Sequence, residues 1–326
     1  MPLASIIVPA FNVAKTLPST LNTLITQTFS NYEIIVINDG STDSTAALLR
    51  DYADLPRFRI ITQRNRGLSG ARNTGIDAAH GEFIGFCDAD DLWLPEKLAR
   101  HVAHLQSAPN IGVSYSGSAL IDAKGAPLGI AQKPRLKNIT PAHIFKRNPI
   151  GNGSAPVIRK AVFDAIAHRP TSEKTRDWYF DETFRQSEDI ECWLRIALTT
   201  NWHFEGINKN LTHYRIHAAS LSTAIDLQLA SWERMVMKLA IIAPDFFARN
   251  AKSARAYQLR YLARRAIINQ DPQHALNLLA QSFAQSWQPF WQEPQKSIST
   301  ISALLILQFA GPSALNAIMA HTRAKK

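Results

Sequence analysis

Over its first hundred residues the chain alternates short apolar runs with segments of helical periodicity. That alternation restricts it to an α/β architecture, a sheet with helices packed on its faces. Apolar runs at 5–9, 33–37, 58–62 and 82–87 predict four strands. Helical patterns predict helices over 18–28, 42–52, 69–79 and 94–105, the first with Leu21, Leu24 and Ile25 on one face and Pro18 in its first turn. Glu33-Ile34-Ile35-Val36-Ile37 shows no polar–apolar alternation, the pattern of a strand buried on both faces. Strand–helix succession of this kind implies right-handed crossovers and a mainly parallel sheet. Ligands bind such sheets beyond the carboxyl ends of the strands. Asn12, Asp39 and Asp88 follow three of those ends.

Further along, residues 111–116 predict a fifth strand, 122–150 an irregular loop, 156–159 a short strand, and 161–167 and 189–199 helices. From about Leu221 the pattern is helical throughout, with a hairpin of 256–268 and 273–286 broken at Asp271-Pro272. The expected organisation is residues 1–221 as one α/β domain, in halves 1–106 and 107–221, followed by a helical accessory region over 222–326.

The 46% apolar content allows a large core, and 19% charged residues argue against disorder. Cys87 and Cys192 are the only cysteines, which excludes a disulfide scaffold and a cysteine zinc site and suits a reducing cytoplasm. No basic segment precedes the first apolar run, so a secretory signal is not expected. Residues 298–319, interrupted by Ser302, Gln308, Pro312 and Asn316, are not expected to span a bilayer. The net charge of +10 is uneven: 1–221 hold 24 Lys/Arg against 21 Asp/Glu, 222–326 hold 12 against 5. The basic tail suits a membrane surface or another anion, or is a solvated face.

The sharpest chemical signal is Asp88-Ala89-Asp90-Asp91, three carboxylates leaving an apolar strand. Their mutual repulsion calls for a cation, and hard oxygen ligands suit a divalent ion completed by phosphate oxygens. The alternative is a helix N-terminus, whose dipole favours Asp91. With Val8-Pro9-Ala10-Phe11-Asn12, Ile37-Asn38-Asp39-Gly40-Ser41-Thr42-Asp43 and Asn65-Arg66-Gly67-Leu68-Ser69-Gly70-Ala71-Arg72-Asn73, in this order and spacing, the acidic turn resembles the donor half of family 2 glycosyltransferases of GT-A fold. The resemblance covers residues 4–106 strongly and reaches Ser222 less firmly.

That resemblance implies an inverting, metal-dependent transfer of sugar from a nucleotide sugar, UDP first among the nucleotides, to a saccharide or lipid-linked acceptor, with no nucleic acid partner. It puts Pro9, Ala10, Phe11 and Asn12 beside the nucleoside, Asp39 on the base, Arg72 near the diphosphate and Asp88 near the ribose. Asp90 becomes the ligand of a Mn2+ or Mg2+ ion, joined by His217 of Tyr214-Arg215-Ile216-His217. Ser187-Glu188-Asp189 resembles the family's Glu-Asp motif, so Asp189 becomes the catalytic base, with Glu188 beside it. Phe11 is alternatively core, Asp39 a turn residue, Arg72 one half of a surface salt bridge, the Glu188–Asp189 pair a dipole cap, His217 structural and Asp43 a cap on the next helix. A sugar nucleotidyltransferase would need a glycine-rich loop where Pro9-Ala10-Phe11-Asn12 stands, and a dinucleotide-dependent dehydrogenase a G-x-G-x-x-G. A non-catalytic protein binding anionic surfaces leaves the acidic constellation unexplained.

Overall fold

The computed structural model describes residues 1–216 and 225–324. These pack into two units, 1–141 with 148–216, and 142–147 with 225–324.

In the first unit, β1 (Ala4–Ala10), α1 (Leu17–Ile25), β2 (Tyr32–Asn38), α2 (Thr45–Leu49), β3 (Phe58–Thr62), α3 (Gly67–Ala78) and β4 (Phe83–Phe86) alternate as expected. β1 pairs in parallel with β2 and β4, and β2 with β3. β1 and β2 are buried at every position, which accounts for their unbroken apolar runs. Leu17, Leu21 and Leu24 bury one face of α1 against them, each contributing about 1.5–3 kcal/mol by burial. α3 packs so closely on β1 that a Cβ at Gly75 would overlap the Ile7 side chain.

Beyond β4 the chain runs through β5 (Leu92–Trp93), α4 (Lys97–Ser107), β6 (Ile111–Ile121) and β7 (Pro127–Gln132) to α5 (Pro141–Lys146), which falls almost wholly in the second unit. β8 (Val157–Arg159), α6 (Lys160–Ile166), α7 (Glu188–Thr199) and β9 (His203–Arg215) complete the first unit. The nine strands form one sheet in the order β3-β2-β1-β4-β8-β6-β9-β5, with β7 on β6. β8, β5 and β7 enter antiparallel, so the sheet is parallel in its first four strands and mixed beyond them. The expected irregular loop at 122–150 therefore holds a strand and a helix. The 13-residue β9, unmarked by alternation, exists because it pairs along β6 through three register shifts.

Lys97 lies fully buried in this half, its Nζ donating to the Ala155 carbonyl at 2.8 Å and to Thr212 Oγ1 at 3.0 Å. Burial lowers its pKa to about 7. Cys87 and Cys192 are both buried and free.

The second unit comprises α8 (Ile225–Ala240), α9 (Pro244–Ile268), α10 (Pro272–Gln285), α11 (Gln288–Gln292) and α12 (Pro294–Ala324). Leu259, Leu262, Ala263, Leu278, Leu279, Leu304 and Leu307 form its core. The α9–α10 hairpin turns where the sequence places it, with Asp271 Oδ1 accepting from the His274 amide at 3.0 Å.

Candidate active site

The carboxyl ends of β2, β1 and β4 lie side by side, and β1 and β4 flank the point where strand order reverses, the usual ligand crevice of such sheets. At the β1 exit Pro9 and Ala10 are buried within the strand, so their side chains belong to the sheet. Phe11 is 48% exposed, which excludes the core reading and leaves its ring open to a ligand. Asn12 adopts a left-handed φ of 54°, and its Oδ1 accepts from the Thr42 amide at 2.8 Å, stapling the β1 exit to the β2 exit. Asp43 Oδ1 accepts from the Thr45 amide at 2.9 Å, at the first residue of α2. Asp39 is buried and accepts from Gln63 Nε2 at 2.6 Å, the Arg66 amide at 2.9 Å and the Gly67 amide at 2.8 Å. It anchors the start of α3, and with about four acceptor sites its carboxylate retains capacity for one more donor.

Arg72, expected near the diphosphate, is enclosed by protein groups. It is 2% exposed, stacks near Phe86 and Phe180, and donates through Nη2 to Asp88 Oδ1 and through Nη1 to Glu188 Oε1, both at 3.1 Å. Burial works against its charge, but Asp88, Glu188 and Asp189 outweigh it and hold the guanidinium above its ordinary pKa. One buried cation thus joins the acidic turn after β4 to the acidic pair at the start of α7.

Around the acidic turn, burial and then Asp88 and Asp90 push the Asp91 carboxyl well above its usual range. Arg215 clamps the turn, its amide donating to Asp91 Oδ1 at 2.9 Å and its Nε to the Asp90 carbonyl at 2.7 Å. Burial, then the charges of Asp91, Asp88, Asp90 and Asp189, raises the Tyr214 phenol. Among the described residues no three metal-ligating side chains converge. A set of mutually repelling carboxylates with too few protein ligands for a full shell fits a hard ion that takes its remaining ligands from phosphate and water. His217 lies outside the described residues. Trp93 is buried with Nε1 donating to the Ser154 carbonyl at 3.1 Å, a core residue.

At α7, Ser187 takes a left-handed φ of 61°, strained for serine, and turns the chain into the helix at Glu188. Burial and then Asp189 push Glu188 up to about 6. Asp189 is raised by burial, against hydrogen bonds from the Ile190 amide and Asn148 Nδ2, both at 2.8 Å. Both acids also favour the helix dipole, which leaves that alternative compatible with the geometry.

The segment 148–154 was not singled out by sequence. Asn148 holds Asp189, Ser154 Oγ accepts from the Asp88 amide at 2.8 Å, and a Cβ at Gly153 would overlap Arg72 and approach Asp88 Oδ2 at 3.0 Å. Its signal was the glycine- and asparagine-rich string Asn148-Pro149-Ile150-Gly151-Asn152-Gly153-Ser154, which reads as turn chemistry alone.

The profile of the family described as "Glycosyl transferase family 2" matches residues 5–166. The chain belongs to this family of glycosyltransferases. This family 2 glycosyltransferase is 28% identical, over 68% of its own length and 80% of the relative's, to the UDP-Glc:alpha-D-GlcNAc-diphosphoundecaprenol beta-1,3-glucosyltransferase WfgD of Escherichia coli. It spans only 32–34% of three longer uncharacterised glycosyltransferases of Rickettsia. Among solved structures, the mannosyltransferase PcManGT of Pyrobaculum calidifontis, in complex with GDP-Man and Mn2+, superposes with a TM-score of 0.56 at 18% identity, covering 95% of this chain and 88% of that one. TarS 1-349 of S. aureus, in complex with UDP-GlcNAc, gives 0.55 at 20% identity, covering 97% and 83%. These likenesses establish the GT-A fold.

Proposed function

We propose that this glycosyltransferase moves a sugar from a UDP-sugar to a lipid-linked saccharide with inversion, in a single displacement. The observation that carries this reading is Arg72, which brings the donor-side Asp88 and the acceptor-side Glu188 onto one guanidinium. The donor and acceptor classes follow WfgD, whose name gives a UDP-sugar and a diphosphoundecaprenol-linked acceptor. Free buried cysteines suit work in the cytoplasm.

In this reading Phe11 lines the base, Asp39 accepts from it, and Asp88 approaches the ribose. Asp90, with His217, would hold a manganese or magnesium ion, which would supply charge neutralisation for the leaving diphosphate. Asp189 accepts the acceptor hydroxyl's proton as that oxygen forms its bond to the anomeric carbon and the bond to the diphosphate oxygen breaks. Glu188, locked on Arg72, raises the basicity of Asp189 by its own charge. Asn148 fixes the orientation of Asp189. The deciding experiment is a panel of nucleotide sugars screened for metal-dependent nucleotide release. Release from none of them with any divalent ion overturns the reading.

Two further outcomes are expected. Asp90→Ala abolishes the gain in donor affinity that Mn2+ or Mg2+ confers; calorimetric titrations that differ between metal and chelator as in the wild type would remove Asp90 from the metal site. The acid limb of the kcat/KM profile reports deprotonation of the Glu188–Asp189 pair. Asn148→Ala removes a donor to the ionised carboxylate and moves that limb to higher pH. Glu188→Gln removes a neighbouring charge and moves it lower. Shifts of the same sign in both variants would contradict the assignment.

A further inference from the structure

The last helix, α12, is apolar on two opposite faces. Ser297, Thr300, Leu304 and Leu307 recur at helical spacing and are buried in the second unit. On the other side Ile298, Leu305 and Phe309, at i, i+7 and i+11, are 54%, 51% and 82% exposed. Beside its start, Trp287 and Trp291 are also exposed, each ring against Phe290 with centroids 6.1 and 5.3 Å apart. Between Lys296 and Arg323 the sequence has no Asp, Glu, Lys or Arg. A surface helix ordinarily carries charge on its outward face, and a helix apolar all round is ordinarily covered.

We propose that an anionic lipid surface covers this face. α12 lies in the plane of the interface, with Trp287 and Trp291 at headgroup level and the sequence's cations, Lys296 at one end and Arg323, Lys325 and Lys326 at the other, bracketing the apolar stretch. The 12 Lys/Arg against 5 Asp/Glu over 222–326 attract anionic headgroups and repel a second copy of the same region. Pro294–Ile318, which contains an 18-residue stretch of mean hydropathy 1.6, is by length and composition apolar enough to cross a bilayer. It lies on the surface instead, because its inner face is committed to the core of the second unit and Gly311, at φ 78° and ψ 175°, interrupts the helix before Pro312. The inference deepens the lipid-linked reading of the acceptor, since an enzyme held on the bilayer meets such a substrate in two dimensions.

The test is co-sedimentation of the full chain with vesicles of phosphatidylcholine alone or of equimolar phosphatidylcholine and phosphatidylglycerol. The anionic vesicles are expected to pellet most of the protein and the neutral ones little. About 1 M salt, where the screening length shrinks to about 3 Å, releases it. Leu305→Glu and Phe309→Glu, both at exposed positions, lower the pelleted fraction at least fivefold while UDP release from UDP-glucose in solution and the gel-filtration volume stay those of the wild type. Equal binding to both vesicle types, binding untouched by the two variants, retention through alkaline carbonate (a spanning helix), or a dimer that Phe309→Glu dissociates would each overturn the proposal. Vesicle binding without UDP release from UDP-glucose, by contrast, counts against that donor and not against the lipid contact.

Discussion

Asp189→Asn is expected to lower turnover by about 100- to 10,000-fold, the usual contribution of a general base, while leaving donor affinity within about twofold. The substitution keeps the volume and the polar shape of the side chain and removes only its capacity to take a proton. Asn148 now faces an amide that can turn its carbonyl toward it, so the hydrogen bond seen at 2.8 Å can persist. The α7 N-terminus loses one favourable charge at a cost of about 0.3–1 kcal/mol, too little to unfold the chain. A dipole-capping role alone would therefore produce a slightly less stable enzyme with full turnover. Steady-state turnover and calorimetric donor binding, measured on the same preparation, separate the two: near-normal turnover would end the base assignment, and lost donor binding would show that Asp189 serves the donor instead.

The readable part of the fold was the part decided by local pattern. β1 and β2 are buried on both sides, so their apolar runs mark them without any partner being known. α2 begins only at Thr45 because Ser41 accepts from the Asn12 amide and the Thr42 amide donates to Asn12 Oδ1, which ties that stretch to the β1 exit. The second half of the sheet was less legible because its strands are specified by their partners. β9 carries Gly206, Asn208 and Asn210 inside a strand, and only its register along β6 makes it one. β5 has two residues and follows from the way Leu92 and Trp93 meet Thr212 and His213.

The candidate site divided along the same line. Asp39, Asp88, Asp90, Glu188 and Asp189 each announce themselves as carboxylates at an element's end. The residues that hold them in relation to one another do not. Asn148 and Ser154 look like turn residues, Arg215 like one more cation, and their roles come from meeting Asp189, Asp88 and Asp91 across 41, 66 and 124 positions of chain. No window of sequence contains such a pairing.

Arg72 is where residue type alone says least about the neighbours, and it yields the largest expected effect on stability. An arginine near a diphosphate site suggests a phosphate ligand, and removing one would weaken donor binding while sparing the fold. Here the guanidinium is 2% exposed and spans Asp88 and Glu188. Arg72→Met, which keeps much of the apolar stem, leaves two carboxylates without their common counter-charge. Breaking a buried pair in this way costs about 3–5 kcal/mol, a large fraction of the 5–15 kcal/mol that holds a typical domain folded. Protonation is the cheapest escape for the stranded acids, and Glu188, already pushed up to about 6, is driven higher. The sign follows: an acid whose pKa rises on folding stabilises the folded state while protonated, so the variant's deficit is smallest at low pH and grows as pH climbs through the raised pKa. Urea unfolding of wild type and variant at pH 5 and pH 8 measures both quantities. A loss of a few kcal/mol that widens toward pH 8 marks Arg72 as the bridge between the two acidic motifs. Unchanged stability at both pH values, with donor affinity alone reduced, would return it to the phosphate.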